Sequence, residues 1–222
     1  YYLRFEEIDE DYLVNEDQIV SYRLIKGNVL DQKTYKTLMT DVNNTVYYNK
    51  ALHFIDFKPR TKKEINEYLT KFQLDESTIN KIVKKLEKIG FIDDERYANR
   101  YTEELIRKGK GKKAIYNLLI KKGIEQDLIN ENLSKYEKDD EFANALRIAE
   151  KLVKPESDYP IKKQKMQLIE KLLREGYGQD AINYAMSNIT FTDNSQERLI
   201  KEYEKLQDKN IEKEKIIARL LA

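Results

Sequence analysis

Cysteine is absent from this 222-residue chain, which also has one histidine, three prolines, seven glycines and no tryptophan. Without cysteine there is no disulfide, no thiolate metal site and no cysteine nucleophile. His53 cannot by itself furnish a histidine-based metal cage, and a Ser-His-Asp triad built around it is not readable. Flanked by Leu52 and Phe54, it reads as a packed or surface histidine. No run of about 18 apolar residues occurs and no signal-peptide pattern opens the chain, so a soluble cytoplasmic protein is expected. No sign of charge dominates: 41 Lys and Arg stand against 40 Asp and Glu, a net of +1. That balance argues against bulk electrostatic binding to nucleic acid. The first residue is Tyr1 rather than methionine, which leaves room for sequence ahead of it.

What is present is helical. The composition is 40% hydrophobic and 36% charged, which suits helices with one buried stripe and a wide solvated face. The stretch Gly90-Phe91-Ile92-Asp93-Asp94-Glu95-Arg96-Tyr97-Ala98 joins two of them. Gly90 can end a helix by adopting positive φ, and Asp93 or Asp94 can accept the free N–H groups of the next. Ile92 and Tyr97 stand where a hydrophobic staple would set the angle of entry. Tyr97 and Tyr101 share an apolar helical face and read as core rather than as base-stacking platforms. Asp93, Asp94, Glu95 and Arg96 read first as a cap with an ion pair; no partner nucleophile or base stands at readable spacing.

The chain repeats itself. Lys63 to Leu86 overlays Lys113 to Tyr136 without a gap, placing Ile65 on Ile115, Leu69 on Leu119, Leu74 on Ile124, Ile79 on Ile129 and Val83 on Leu133. A third copy runs through Leu168, Leu172, Gly176, Tyr177, Ile182 and Met186, with Gln126-Asp127 matching Gln179-Asp180. An apolar helix pattern precedes each copy. The unit is three short helices over about 45 to 53 residues, within the range of helical repeats. The expected fold is therefore all-α: an elongated, curved array of tandem three-helix repeats behind a small N-terminal element. Residues 1–45 form that element, a short β-hairpin with Asp9-Glu10-Asp11 as its turn, followed by helices. The first of these helices is capped by Asn15, carries Ile19 to Leu24 and is closed by Gly27; the second starts at Asp31. The repeats occupy 46–92, 93–138 and 139–191, the last with a loop at Lys154 to Pro160. Residues 192–222 read as the first two helices of a fourth, at Glu197 to Lys205 and Glu212 to Ala222; either the natural chain continues or this unit is incomplete.

Positive charge collects near the middle helix of each repeat. Arg107, Lys108, Lys110, Lys112, Lys113, Lys121 and Lys122 fall in one stretch with no acid, and Arg60, Lys62 and Lys63 open the corresponding helix of the first repeat. These ten are the candidate partner-binding residues, and Gly90, Asp93, Asp94, Arg96 and Tyr97 the structural junction. Gly109-Lys110-Gly111-Lys112-Lys113 is not a phosphate loop: it lacks the spacing and the Ser or Thr after lysine, and it follows a helix rather than a strand. Lys63 to Ile92 has the helix–turn–helix of a winged helix, but Asp93 starts a helix where the wing should begin. No base-reading side chains are identifiable. A winged-helix-like DNA-binding protein and a generic helical-repeat adaptor are the alternatives these residues leave.

With the units aligned, the chain resembles the RecX family of bacterial RecA regulators. The resemblance rests on Gly90 to Ala98 and continues through Tyr101, Gly109-Lys110-Gly111 and Lys121-Lys122-Gly123-Ile124. Upstream, Asn15-Glu16-Asp17 and Tyr22-Arg23-Leu24-Ile25-Lys26-Gly27 resemble the N-terminal element of longer Gram-positive members. It departs from the family where Gly-Pro-Lys/Arg reads Gly111-Lys112-Lys113, and where the last unit lacks its third helix. The resemblance implies a non-enzymatic protein, without cofactor or metal, that lies in the groove of the RecA–DNA filament. There it would inhibit strand exchange, ATP hydrolysis and co-protease activity, and so modulate DNA repair, homologous recombination and the SOS response. The partner would be the RecA filament on single-stranded DNA, with weak direct contact to DNA phosphate, and the protein is expected as a monomer.

Overall fold

The computed structural model describes residues 1–154, 157 and 159–207. Among the described residues a two-stranded antiparallel hairpin, β1 (Tyr2–Phe5) and β2 (Ile8–Leu13), leads into eleven helices. These are α1 (Glu16–Ser21), α2 (Gln32–Phe57), α3 (Lys62–Thr70), α4 (Glu76–Lys88), α5 (Asp94–Arg107) and α6 (Lys112–Lys122), then α7 (Gln126–Ser134), α8 (Lys138–Leu152), α9 (Ile161–Arg174), α10 (Gln179–Ser187) and α11 (Ser195–Gln207). None of the described helices is long and apolar enough to cross a membrane.

Three features of the N-terminal element differ from the sequence expectation. The hairpin turns at Glu6-Glu7, so Asp9-Glu10-Asp11 lies inside β2. The charge that suggested a turn is used across the ladder, where Asp11 opposes Arg4 and accepts its Nε and Nη2 at 2.7 and 2.8 Å. Helix α1 opens on the expected Asn15–Gln18 capping box but ends at Ser21, well before Gly27. Arg23 takes the left-handed conformation (φ 48°) and Leu24 N–H closes back on Ile19 O at 2.9 Å, a C-terminal cap without glycine. Helix α2 runs unbroken for 26 residues, through the 45/46 border drawn from the repeats. At 1.5 Å per residue it is about 39 Å long, which lets one helix serve two cores.

Two compact units result: residues 1–97 with 122–124, and the remaining residues from 98 onward. In the first, Val14, Leu38 and Val42 are buried under the hairpin aromatics Phe5 and Tyr12. Further along α2, Ala51 faces a second core of Ile65 and Leu69 from α3, Ile79, Ile82, Val83 and Leu86 from α4, and Ile92. In the second unit α8, α9 and α10 enclose Ala145, Ala149, Leu168, Leu172, Tyr177, Ile182 and Ala185.

Equivalent repeat positions have equivalent burial. Ile65, Ile115 and Leu168 are each 0% exposed, as are Leu69, Leu119 and Leu172, so the internal alignment registers the same inward face three times. Each such side chain contributes about 1.5–3 kcal/mol of burial. Tandem three-helix repeats are thus the architecture from α2 to α10, and α11 follows where a further first helix was expected. The helix expected at Glu212 to Ala222 lies outside the described residues. No wing follows Ile92, because the chain enters α5 at once.

Candidate interaction surface

The junction at Gly90–Ala98 is built as a local cap and a distant one. Gly90 adopts φ 76°, and Phe91 N–H returns to Leu86 O at 2.9 Å to finish α4. Asp93 then caps α5, its Oδ1 accepting Arg96 N–H at 2.8 Å. Arg96 folds back to donate from Nη2 to Gly90 O at 3.1 Å. Asp94 does not cap its own helix. Its Oδ1 accepts the backbone N–H of Lys62 at 2.9 Å, thirty-two residues upstream at the start of α3. Half burial raises the Asp94 carboxyl above its ordinary value, more than the Lys62 N–H lowers it. The first helix of one repeat thereby caps the middle helix of the repeat before it.

The same device recurs in the second unit. Glu141 on α8 accepts Lys112 N–H, the first of α6, at 3.2 Å. A second connection accompanies each cap. In the first unit the Thr61 hydroxyl, at the α3 N-terminus, accepts Glu64 N–H at 3.3 Å and donates to Lys122 O at 2.7 Å. In the second, Gly111 N–H donates to Glu175 O at 2.8 Å and Lys113 N–H to Gly176 O at 3.1 Å. The C-terminal turn of one middle helix therefore meets the N-terminus of the preceding one, opposing partial charges of opposite sign.

A carboxylate bracketed by cations stands at each meeting point. Glu64 takes Lys122 Nζ at 2.7 Å and Arg60 at 3.7 Å; Glu175 takes Lys110 Nζ at 2.5 Å and Lys171 Nζ at 2.7 Å. Burial alone would raise both carboxyls, but the lysine hydrogen bonds and charges outweigh it and hold both below the ordinary value. Tyr177, fully buried, donates its hydroxyl to Gly109 O at 3.0 Å beneath the second junction.

The ten candidate cations thus divide. Arg60 lies on the Phe54 ring at 3.8 Å with its side chain 12% exposed, and Lys110 and Lys122 are held by partly buried glutamates; these three belong to the frame. Lys62 pairs with Glu87 at 2.8 Å and Lys63 with Glu67 at 3.8 Å, both half exposed. Lys112 reaches over the Tyr136 ring at 5.6 Å. Lys108 pairs with Glu104 while remaining largely exposed, and Arg107, Lys113 and Lys121 are exposed. Sequence reading missed Arg147 and Lys151 of α8. They stand with Arg107 and Lys108 around a groove of about 310 Å³, although forty residues separate the pairs along the chain. Their spacing of four along one helix was the available signal. Among the described residues no cluster of His, Asp or Glu is arranged to hold a metal ion.

Middle helices α3 and α6, each capped from the repeat that follows, define a tandem three-helix repeat protein. The pattern described as RecX, first three-helix domain, matches residues 48–86, and that of RecX, second three-helix domain, matches 93–133. The chain is 30% identical over 227 residues to the regulatory protein RecX of Listeria monocytogenes serotype 4b (strain CLIP80459), covering 96% of this chain and 84% of that one. It is 30% identical over 189 residues to the regulatory protein RecX of Staphylococcus carnosus (strain TM300), covering 83% and 69% respectively. A crystal structure of regulatory protein RecX superposes with a TM-score of 0.69 at 25% identity, over 79% of this chain and 87% of the other. That of RecX from Lactobacillus salivarius gives 0.59 at 28% identity, over 65% and 94%. This chain belongs to the RecX family.

Proposed function

We propose that this protein is a non-enzymatic, cytoplasmic regulator that binds the RecA–DNA filament in its groove and restrains strand exchange, ATP hydrolysis and co-protease activity. Family membership across 96% of the chain carries the proposal, since the relatives so matched are named regulatory proteins. The architecture supports it. Repeated modules can make several weak contacts to a periodic partner, and these add through effective concentration. The repeats at 46–92, 93–138 and 139–191, with a partial fourth from 192, are the modules of this reading, and it needs neither cofactor nor metal. The contact residues are drawn from the exposed cations Lys62, Lys63, Arg107, Lys108, Lys113 and Lys121.

DNA-dependent ATP hydrolysis by the host recombinase, measured while this protein is titrated in at low and high salt, tests the reading. Sub-stoichiometric inhibition that weakens at high salt is expected. Undiminished hydrolysis by filaments shown to be intact would remove the recombinase from consideration and leave the adaptor reading.

A further inference from the structure

The groove ringed by α5, α8 and α9 contains, beside the junction residues Lys171 and Glu175, cations that the caps and junctions do not use. Arg107 and Lys108 stand at the end of α5, Arg147 and Lys151 one turn apart on α8, and Lys171 on α9 beside Glu175. Five cationic side chains therefore line about 310 Å³ against one carboxylate. Lys108 is held by Glu104 and Lys171 by Glu175, which leaves Arg107, Arg147 and Lys151 as the excess positive charge of the lining. Arg107 and Lys151 are both exposed, and the Glu104 carboxyl is lowered first by Lys108 and further by the Arg107 charge. The floor is apolar. Ile148 lies against Gly109, where an added Cβ would come 3.3 Å from its Cδ1, and Leu152 is 40% exposed.

We infer that this groove is a docking site for an acidic protein segment carrying one aliphatic anchor. Cationic walls over an apolar floor fit carboxylates flanking a leucine-sized side chain. Arg147 and Lys151 rise about 6 Å apart along α8, the spacing of carboxylates four residues apart on a partner helix. The apolar floor of Ile148 and Leu152 suits an aliphatic side chain, which a polypeptide has and a sugar–phosphate backbone lacks. A chain of net charge +1 also has little long-range pull on a polyanion. The site is defined by its own chemistry and stands whether or not the recombinase supplies the segment.

The test is fluorescence anisotropy of the full chain with a labelled peptide of mixed aspartate and glutamate bearing one central leucine. Saturable binding is expected, with Arg107→Glu and Lys151→Glu each weakening it about tenfold and replacement of the peptide's leucine by serine about tenfold as well. Lys84→Glu, at an exposed position of α4, should leave it unchanged. Circular dichroism confirms that each variant is folded. Absence of binding, or equal binding by Arg107→Glu, Lys151→Glu and the unaltered chain, overturns the inference. So does displacement of the peptide by an equal concentration of oligothymidylate, which would make the groove a nucleic-acid site. The readout contains no recombinase, so its failure and that of the regulatory proposal are separable.

Discussion

Glycine at the repeat junctions answers two different demands, and substitution separates them. Gly90 has φ 76° with nothing within 4 Å of a would-be Cβ, whereas Gly176 has φ 86° and its Cβ would fall 2.3 Å from Ala114 N. Gly90→Ala is expected to cost about 1 kcal/mol, the left-handed penalty alone. Gly176→Ala must also displace backbone and should cost roughly 3 kcal/mol or more. Urea denaturation of the two variants measures the difference; equal losses would mean that the close approach is not maintained. Thr102 offers the opposite case. It is 4% exposed on α5 and its hydroxyl has no hydrogen-bond partner among the described residues. Thr102→Val keeps the shape and removes the orphan, so a gain of about 1 kcal/mol is expected in the same experiment.

At the scale of the helix, stability depends on caps supplied from elsewhere. Asp94→Ala should cost about 1 kcal/mol through loss of the α3 cap, which circular dichroism melts can resolve. Asp94→Asn keeps an acceptor oxygen for Lys62 N–H. Because the Asp94 pKa is raised in the folded state, its ionisation works against folding as pH rises, and the neutral amide should be tolerated at pH 7. The two bracketed glutamates have the reverse sign. Their folded values lie below the ordinary 4.5, so they stabilise the fold above that pH and the contribution is lost as pH falls through the lowered values. The double variant Glu64→Gln, Glu175→Gln should be less stable at pH 7 and lose less stability on acidification to pH 3. Parallel acid unfolding curves would show that the bracketing cations do not matter.

At the scale of the molecule, burial among the described residues is concentrated from the hairpin to α10. No described residue of α11 is buried, while Phe191, just before it, still packs on the core of α8 to α10. A chain ending after Asp193 should therefore melt within about 0.5 kcal/mol of the full chain, as for surface changes generally. A large drop in midpoint would place structural weight beyond α10.

Much of this organisation follows from local order along the chain. The spacing of Ile65 and Leu69, repeated at Ile115 and Leu119 and at Leu168 and Leu172, determined three inward faces because helical periodicity admits one solution for such a pattern. The caps at Asn15, Asp31 and Asp93 were readable for the same reason, since each acts within three residues. The turn at Glu6-Glu7 was not, because its register depends on a cross-strand pair. Nor could periodicity tell that α2 runs unbroken through residue 45. Only the tertiary structure decided that Asp94 caps α3 rather than α5, that Lys110 and Lys122 are held by glutamates, and that Arg147 and Lys151 join Arg107. Those are contacts between residues thirty to sixty-five apart, and a hydrogen bond or ion pair depends on where the folded chain brings two groups, not on their order within it.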